Sequence, residues 1–332
     1  MFFLLNLRSE DKLKRFITIL LIIISLGLGF LIYVPTSLVN THTYTSNLIV
    51  DKENNILKTK ENKEIKILQL TDIQVSNFLF AGYAFDIVKT TIKKAQPDLL
   101  VLTGDNITSK ADERLLNKFA TFMDSFELPW ALIYGNHDYV VKVPIEKQNE
   151  VYENTKYGLF KTGNVKDHNG NYYYNIERNN EVIYSLIFTD SKYDGFTIDH
   201  INWYEDMINH ITTSNNKIIP SILFSHIPPK GLAKAYEAYL KDNSIGYGSM
   251  YEDLSLQKTD PGIYEKALEL KSTKMFVYGH DHINTLVINY NDIMFCYGLK
   301  TGRTTYYNRH MNGGTLYTIT LDNTIDIKRI YC

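Results

Sequence analysis

Five times along this 332-residue chain a short apolar run stops at a Gly or polar residue, and an Asp, Asn or His follows. Ile65–Leu70 runs into Asp72-Ile73-Gln74, and Leu99–Leu102 into Gly104-Asp105-Asn106. Trp130–Tyr134 runs into Gly135-Asn136-His137-Asp138, Ile218–Phe224 into His226, and Met275–Tyr278 into Gly279-His280-Asp281-His282. Short runs rich in β-branched and aromatic residues, bounded by glycine or polar residues, read as buried strands. In α/β folds, ligands bind at the carboxyl ends of such strands. Five strand ends far apart in sequence can therefore converge on one place.

The residue types at those ends share one chemistry. Carboxylate and imidazole suit divalent first-row metal ions, and a carboxylate can bridge two ions about 3.5–4 Å apart. Asn adds an oxygen donor without adding charge. Glycine beside a ligand lets the backbone turn tightly after the strand. Any one piece alone reads as an ordinary loop. All five in this order, each after a strand, read as a site for two metal ions.

The order Asp-x-Gln, Gly-Asp, Gly-Asn-His-Asp, His, Gly-His-x-His resembles the calcineurin-like metallophosphoesterase superfamily over about residues 63–332. Phe224-Ser225-His226-Ile227-Pro228 and Gly279-His280-Asp281-His282-Ile283-Asn284 are similar to its purple-acid-phosphatase-like branch. The resemblance implies a four-layer βαβα sandwich of two mixed sheets flanked by helices. It implies Asp72, Gln74, Asp105 and His282 at a first divalent metal ion, with Asp105 bridging to a second completed by Asn136, His226 and His280. It implies His137 as a catalytic residue that stabilises the transition state or protonates the leaving oxygen. Either Asp105 or Asp138 would orient its ring. The implied activity is hydrolysis of phosphomonoesters or phosphodiesters by a hydroxide activated between the two metals.

Two positions depart from the pattern. Gln74 stands where the family usually has His, which suits Mn or another exchangeable ion at the first site. Thr108 stands where purple acid phosphatases have a metal-binding Tyr, so no ferric-tyrosinate centre is expected. The alternative reading is a catalytically silent phosphoesterase-like binding module at the cell surface.

Residues 16–34 contain no charge and would span about 28 Å as a helix, close to the thickness of a bilayer's hydrocarbon core. Arg8, Lys12, Lys14 and Arg15 precede this run, and no Lys or Arg follows until Lys52. The expectation is a transmembrane signal anchor at 16–35, with residues 1–15 cytoplasmic and the rest outside. The run is long for a signal peptide and lacks a clear small-x-small cleavage site. Polar residues 36–62 read as a tether, leaving 63–332 as one large α/β domain.

The net charge of −2 offers no global field to recruit nucleic acid, and none is expected as a partner. The expected substrate is a small phosphorylated molecule, including a lipid-linked or cell-envelope phosphate held near the bilayer. Cys296 and Cys332 form no framework; a core thiol suits Cys296, and a bridge between the two is left open. Two Tyr-bearing segments, 139–174 and 230–261, are candidate walls for the cleft, although surface cover is the better explanation for most of the 25 tyrosines. Arg303 is a candidate partner for a phosphate oxygen. Helices are expected over 85–95 and 112–126, and strands over 182–189, 285–290, 293–297, 316–321 and 325–330.

Overall fold

The computed structural model describes residues 14–27, 42–76, 81–108 and 110–332. In chain order the strands are β1 (Leu48–Asp51), β2 (Ile56–Thr59), β3 (Ile65–Leu70), β4 (Leu99–Thr103), β5 (Trp130–Ile133), β6 (Tyr172–Arg178), β7 (Glu181–Phe188), β8 (Ser221–Phe224), β9 (Gly246–Tyr247), β10 (Thr273–Tyr278), β11 (Val287–Tyr290), β12 (Ile293–Tyr297), β13 (Gly313–Ile319) and β14 (Ile325–Tyr331). The helices are α1 (14–27), α2 (Ala81–Ala95), α3 (Glu113–Asp124), α4 (Ile145–Glu153), α5 (Ile198–Asn215), α6 (Gly231–Lys241) and α7 (Ile263–Leu270).

The strands form two mixed sheets. One has the order β14-β13-β3-β4-β5 and the other β1-β2-β6-β7-β8-β10-β12-β11-β9. Side chains alternate across a strand, and the larger sheet uses both faces. Ile222 and Phe224 of β8, Met275 and Val277 of β10, and Cys296 of β12 face the core shared with the smaller sheet. Their neighbours Leu223, Phe276 and Phe295 face a second core built with α5, α6 and α7. Helices α2 and α3 add Phe85, Val88, Leu116 and Phe119 to the first core, which gives the expected layers of helix, sheet, sheet and helix.

The helices start and stop for local reasons. The Asp112 carboxylate accepts the Leu115 N–H at 2.9 Å, capping α3. Its apolar residues Leu115, Leu116, Phe119, Ala120, Phe122 and Met123 fall on one buried face. In α5, Thr197 and His200 form a reciprocal cap, with the Thr197 N–H donating to His200 Nδ1 at 3.1 Å.

Register positions the site. β3, β4 and β5 are parallel, with Leu70 opposite Leu102 and Leu102 opposite Leu132, so Asp72, Asp105 and Asn136 leave neighbouring strands at one level. In the other sheet, β8 and β10 are parallel with Phe224 opposite Val277. The Gly279 N–H then donates to the His226 carbonyl at 3.0 Å.

Two expectations need correction, and the open question of the cysteines is answered. Residues 36–62 are not simply a tether. β1 and β2 form a hairpin with Leu48 and Leu57 buried, and β2 extends the larger sheet beside β6. An edge hairpin needs few apolar side chains, so the polar composition hid it. Both cysteines are free thiols: Cys296 lies against the Tyr317 hydroxyl at 3.2 Å, and Cys332 against Thr91 Oγ1 at 2.9 Å. Tyrosines of the segment 139–174 mostly fill the core, with Tyr152, Tyr172 and Tyr174 buried.

For the expected anchor, the described part is α1, whose large side chains from Phe16 to Leu26 are exposed. Residues 28–35 of that span lie outside the described residues, and no described helix is long and apolar enough to cross a membrane.

Candidate metal centre

The strand ends hold their ligands in conformations that L-residues avoid. Asp72, Gln74, Asp105 and His280 have φ of 53°, 52°, 53° and 71°. Left-handed backbone at a non-glycine residue costs about 1–2 kcal/mol, and such strain gathers at functional sites. Backbone bonds across the strand ends offset it: Asp72 N–H to the Gly104 carbonyl at 3.1 Å, Gln74 N–H to the Asp105 carbonyl at 2.8 Å, and Val75 N–H to the Asn106 carbonyl at 3.0 Å.

Asp72, Asp105 and His226 are buried, and each offers one ligand atom within 4.8 Å of the other two. His226 Nδ1 donates to the Thr103 carbonyl at 2.9 Å. Its Nε2 then faces Asp105 Oδ1 at 3.4 Å and His280 Nδ1 at 3.3 Å. His280 is held through its other nitrogen, with Nε2 3.0 Å from Ser255 Oγ. His282 Nδ1 donates to the Tyr306 carbonyl at 3.0 Å, and its Nε2 lies 3.2 Å from Asp72 Oδ1. Metal-binding imidazoles are oriented through the far nitrogen in this way.

Of two buried oxygens, Asn136 Oδ1 has no hydrogen-bond partner among the described residues, and Asp72 Oδ1 meets only His282 Nε2, at 3.2 Å. Both oxygens are of the kind that a divalent cation takes as ligands. The charge pattern agrees. Burial would raise the Asp72 carboxyl, but the charges of His282, His226 and Lys300 outweigh it and hold it low. Burial opposes charge on His226, yet Asp105 and Asp72 push its pKa up to about 10. His280 moves down to about 4, through burial and the nearby His226. Asp105, Asn136, His226 and His280 thus fit a divalent ion, and Asp72 and His282 fit a second beside Asp105.

Gln74 does not fit as the fourth donor of that second position. Its Oε1 accepts from the Lys300 ammonium at 2.8 Å and the Thr305 hydroxyl at 2.6 Å. Its Nε2–H2 group donates to Asp105 Oδ2 at 3.2 Å. Sequence reasoning missed Lys300. It lies just beyond β12, paired with Thr71 next to Asp72, so the strand-end argument applied to Ile293–Tyr297 points to it.

Asp138 does not face the His137 ring. Its buried carboxylate accepts N–H groups of Gly135 at 2.8 Å, Asn106 at 3.1 Å and Ile107 at 3.0 Å, tying the loop that carries Asn136 and His137 to the loop after β4. Burial, reinforced by Asp105, raises its pKa to about 7. Asp105 is the carboxylate near His137: Oδ1 accepts the His137 backbone N–H at 2.8 Å, and Oδ2 lies 3.9 Å from Nε2. The imidazole is about half exposed.

The ligands open into a cleft of about 340 Å³ lined by Asp105, His137, Glu252, Asp253, Ser255, His280, Asp281, His282 and Tyr306. The loop after β9 therefore overhangs the centre. Glu252 fastens it, accepting the Ile283 N–H and the Tyr306 hydroxyl, each at 2.8 Å. Arg303 is exposed and is not among the residues lining the cleft. Gly302, just before it, donates its backbone N–H to the Asp72 carbonyl at 3.1 Å.

Residues 65–284 match the calcineurin-like phosphoesterase family, and the chain belongs to it. Among its relatives is the probable inactive purple acid phosphatase 28 of Arabidopsis thaliana, 22% identical over 73% of this chain and 71% of the relative. Phosphatase DCR2 of Saccharomyces cerevisiae is 27% identical over 64% of this chain, though only 41% of its own length. The fold is similar to that of a dimetal phosphatase from Danio rerio, with a TM-score of 0.50, 11% identity, and coverage of 76% of this chain and 92% of that one.

Proposed function

We propose that the chain is a metal-dependent phosphohydrolase, anchored in a membrane by its N-terminal segment and acting on small phosphomonoesters or phosphodiesters outside the cytoplasm. One observation carries the enzymatic reading: three buried ligands converge within 4.8 Å beside the unpartnered Asn136 Oδ1, under an open cleft that also presents His137. Asp72, Asp105 and His282 would hold one divalent ion, and Asp105, Asn136, His226 and His280 the other. When bound, such ions polarise a phosphoryl group and lower the pKa of water near neutrality.

The chain's own residues supply the rest. The Asp105 carboxylate holds the His137 backbone and sits beside its ring, which positions the imidazole at the cleft mouth to donate a proton to a leaving oxygen. Asp138 keeps that loop in register through three backbone bonds, so its role is positioning. The exposed apolar surface of α1 and the charge asymmetry around residues 16–34 support the anchor. That placement favours phosphates of lipids or the cell envelope as substrates.

The test uses the full chain, stripped with chelator and supplied singly with Mn, Mg, Zn, Fe or Co. Hydrolysis of p-nitrophenyl phosphate or bis-p-nitrophenyl phosphate should return with metal and fall at least a hundredfold in Asp105→Asn and His137→Ala. A binding module is the second reading, favoured by the amide that Gln74 turns toward Asp105. Metal uptake without turnover on either substrate, or on a panel of lipid phosphates, would select it. Retention in the membrane pellet after alkaline extraction tests the anchor, and release into the supernatant would remove it.

A further inference from the structure

Lys300 is buried, 1% exposed, and donates to two oxygens, the Asp72 carbonyl at 3.0 Å and Gln74 Oε1 at 2.8 Å. An ammonium has only donors, so it dictates which end of the Gln74 amide it meets. The oxygen must face Lys300, which leaves the NH2 group facing Asp105. The Thr305 hydroxyl takes the same oxygen, and the Thr304 hydroxyl fixes the Gln74 backbone carbonyl at 2.8 Å. The Gln74 side chain is fully buried, and a flipped amide would turn its NH2 group on the Lys300 ammonium, donor against donor.

From this geometry we infer that Lys300 and Thr305 lock Gln74 out of the first coordination sphere, so that the two metal positions are unequal. One keeps four protein donors, Asp105, Asn136, His226 and His280. The other keeps three, Asp72, Asp105 and His282, and has a buried cation behind it. Lys300 takes over part of the charge balance that a firmly held second ion would provide to Asp72. The centre therefore holds one divalent ion tightly, while the ion beside Asp72 exchanges with solvent. Lys300 is a positioning residue in this scheme and touches no substrate. The inference rests on the proposed two-metal centre.

The experiment is a titration of the chelator-stripped full chain with Mn2+, following free ion by electron paramagnetic resonance and bound ion by elemental analysis. The expected wild-type result is two ions per chain whose dissociation constants differ at least a hundredfold. Lys300→Met should tighten the weaker ion at least tenfold and narrow that ratio. Gln74→Leu keeps the side-chain volume without its donors and should leave the weaker ion within about threefold of wild type. Equal affinities in the wild type would overturn the lock while leaving the two-metal centre standing. So would a tenfold or greater loss of the weaker ion in Gln74→Leu, since Gln74 would then be a ligand. Binding of no ion at all would overturn both readings.

Discussion

Replacing Gly135 with alanine should cost this protein its metal before it costs the fold. An alanine Cβ at that position would lie 2.3 Å from Asp105 Oδ1, 2.4 Å from the Asp105 backbone nitrogen and 2.8 Å from His226 Cδ2. Ordinary contact begins near 3.4 Å, so the Asp105 oxygen must retreat by about 1 Å, roughly twice the tolerance of a preorganised site. Neither neighbour is a flexible chain end. Asp105 carries the His137 N–H, and His226 is pinned to Thr103. Overpacking a tight interior costs about 1–3 kcal/mol, which a domain of this size can absorb. Displacing Asp105, the proposed bridge between the two metal positions, should weaken Mn2+ binding about 10–100-fold, the range seen when ligand support is lost.

Gly170→Ala separates the two effects. That residue has φ +81°, and an added Cβ meets only the Phe160 ring, at 3.0 Å. It should lose about 1–2 kcal/mol through backbone strain while Mn2+ affinity stays unchanged. Guanidinium unfolding and Mn2+ titration of both variants decide the matter. Gly135→Ala with wild-type metal affinity would refute the reasoning, whatever its stability.

In the metal-free chain, His226 has a pKa raised to about 10. Its contribution to stability should be full below about pH 6.5 and be lost as pH rises through about 10. Urea unfolding of wild type and His226→Asn from pH 6 to 10 should therefore show a gap that closes at the alkaline end, and a constant gap would contradict the assignment. Because the His226 proton must leave before Nε2 can ligate, Mn2+ affinity should rise with pH over the same window. Asp138→Asn replaces an acceptor of three backbone N–H groups by an amide. With about 1.5–3 kcal/mol at stake for each bond to a charged group, it should destabilise the chain by at least about 2 kcal/mol in denaturant melts above pH 7, where the carboxyl, raised to about 7 by burial, is charged. Mass spectrometry after unfolding in iodoacetamide without reductant should find both Cys296 and Cys332 labelled, and an unlabelled pair would restore the disulfide.

Much of this architecture could be read before any coordinates. The runs at 65–70, 99–102, 130–134 and 275–278 are apolar on both faces because the sheets are covered on both sides, and that composition is visible in the chain itself. Helix α3 showed its buried stripe by period. The ligand residues announced themselves by following those strands. Elements whose support is distant did not. The β1–β2 hairpin has a polar composition and forms because β6 offers it an edge. The tyrosines of 139–174 look like surface aromatics until Tyr134, Phe160 and Tyr172 surround them.

The same division runs through the site. The sequence by itself determined the residue types and their order, since a carboxylate, an amide or an imidazole after a strand is a local fact. Only the tertiary structure decided which atoms face inward. Asp138 adjoins His137 in the chain and Asp105 lies 32 residues before it, yet Asp138 spends its oxygens on three backbone N–H groups and Asp105 lies beside the ring. Gln74 occupies a ligand position by number, but its amide end is chosen by Lys300, more than two hundred residues away. Hydrogen-bond direction and desolvation depend on neighbours brought together by folding, and no spacing along the chain encodes them.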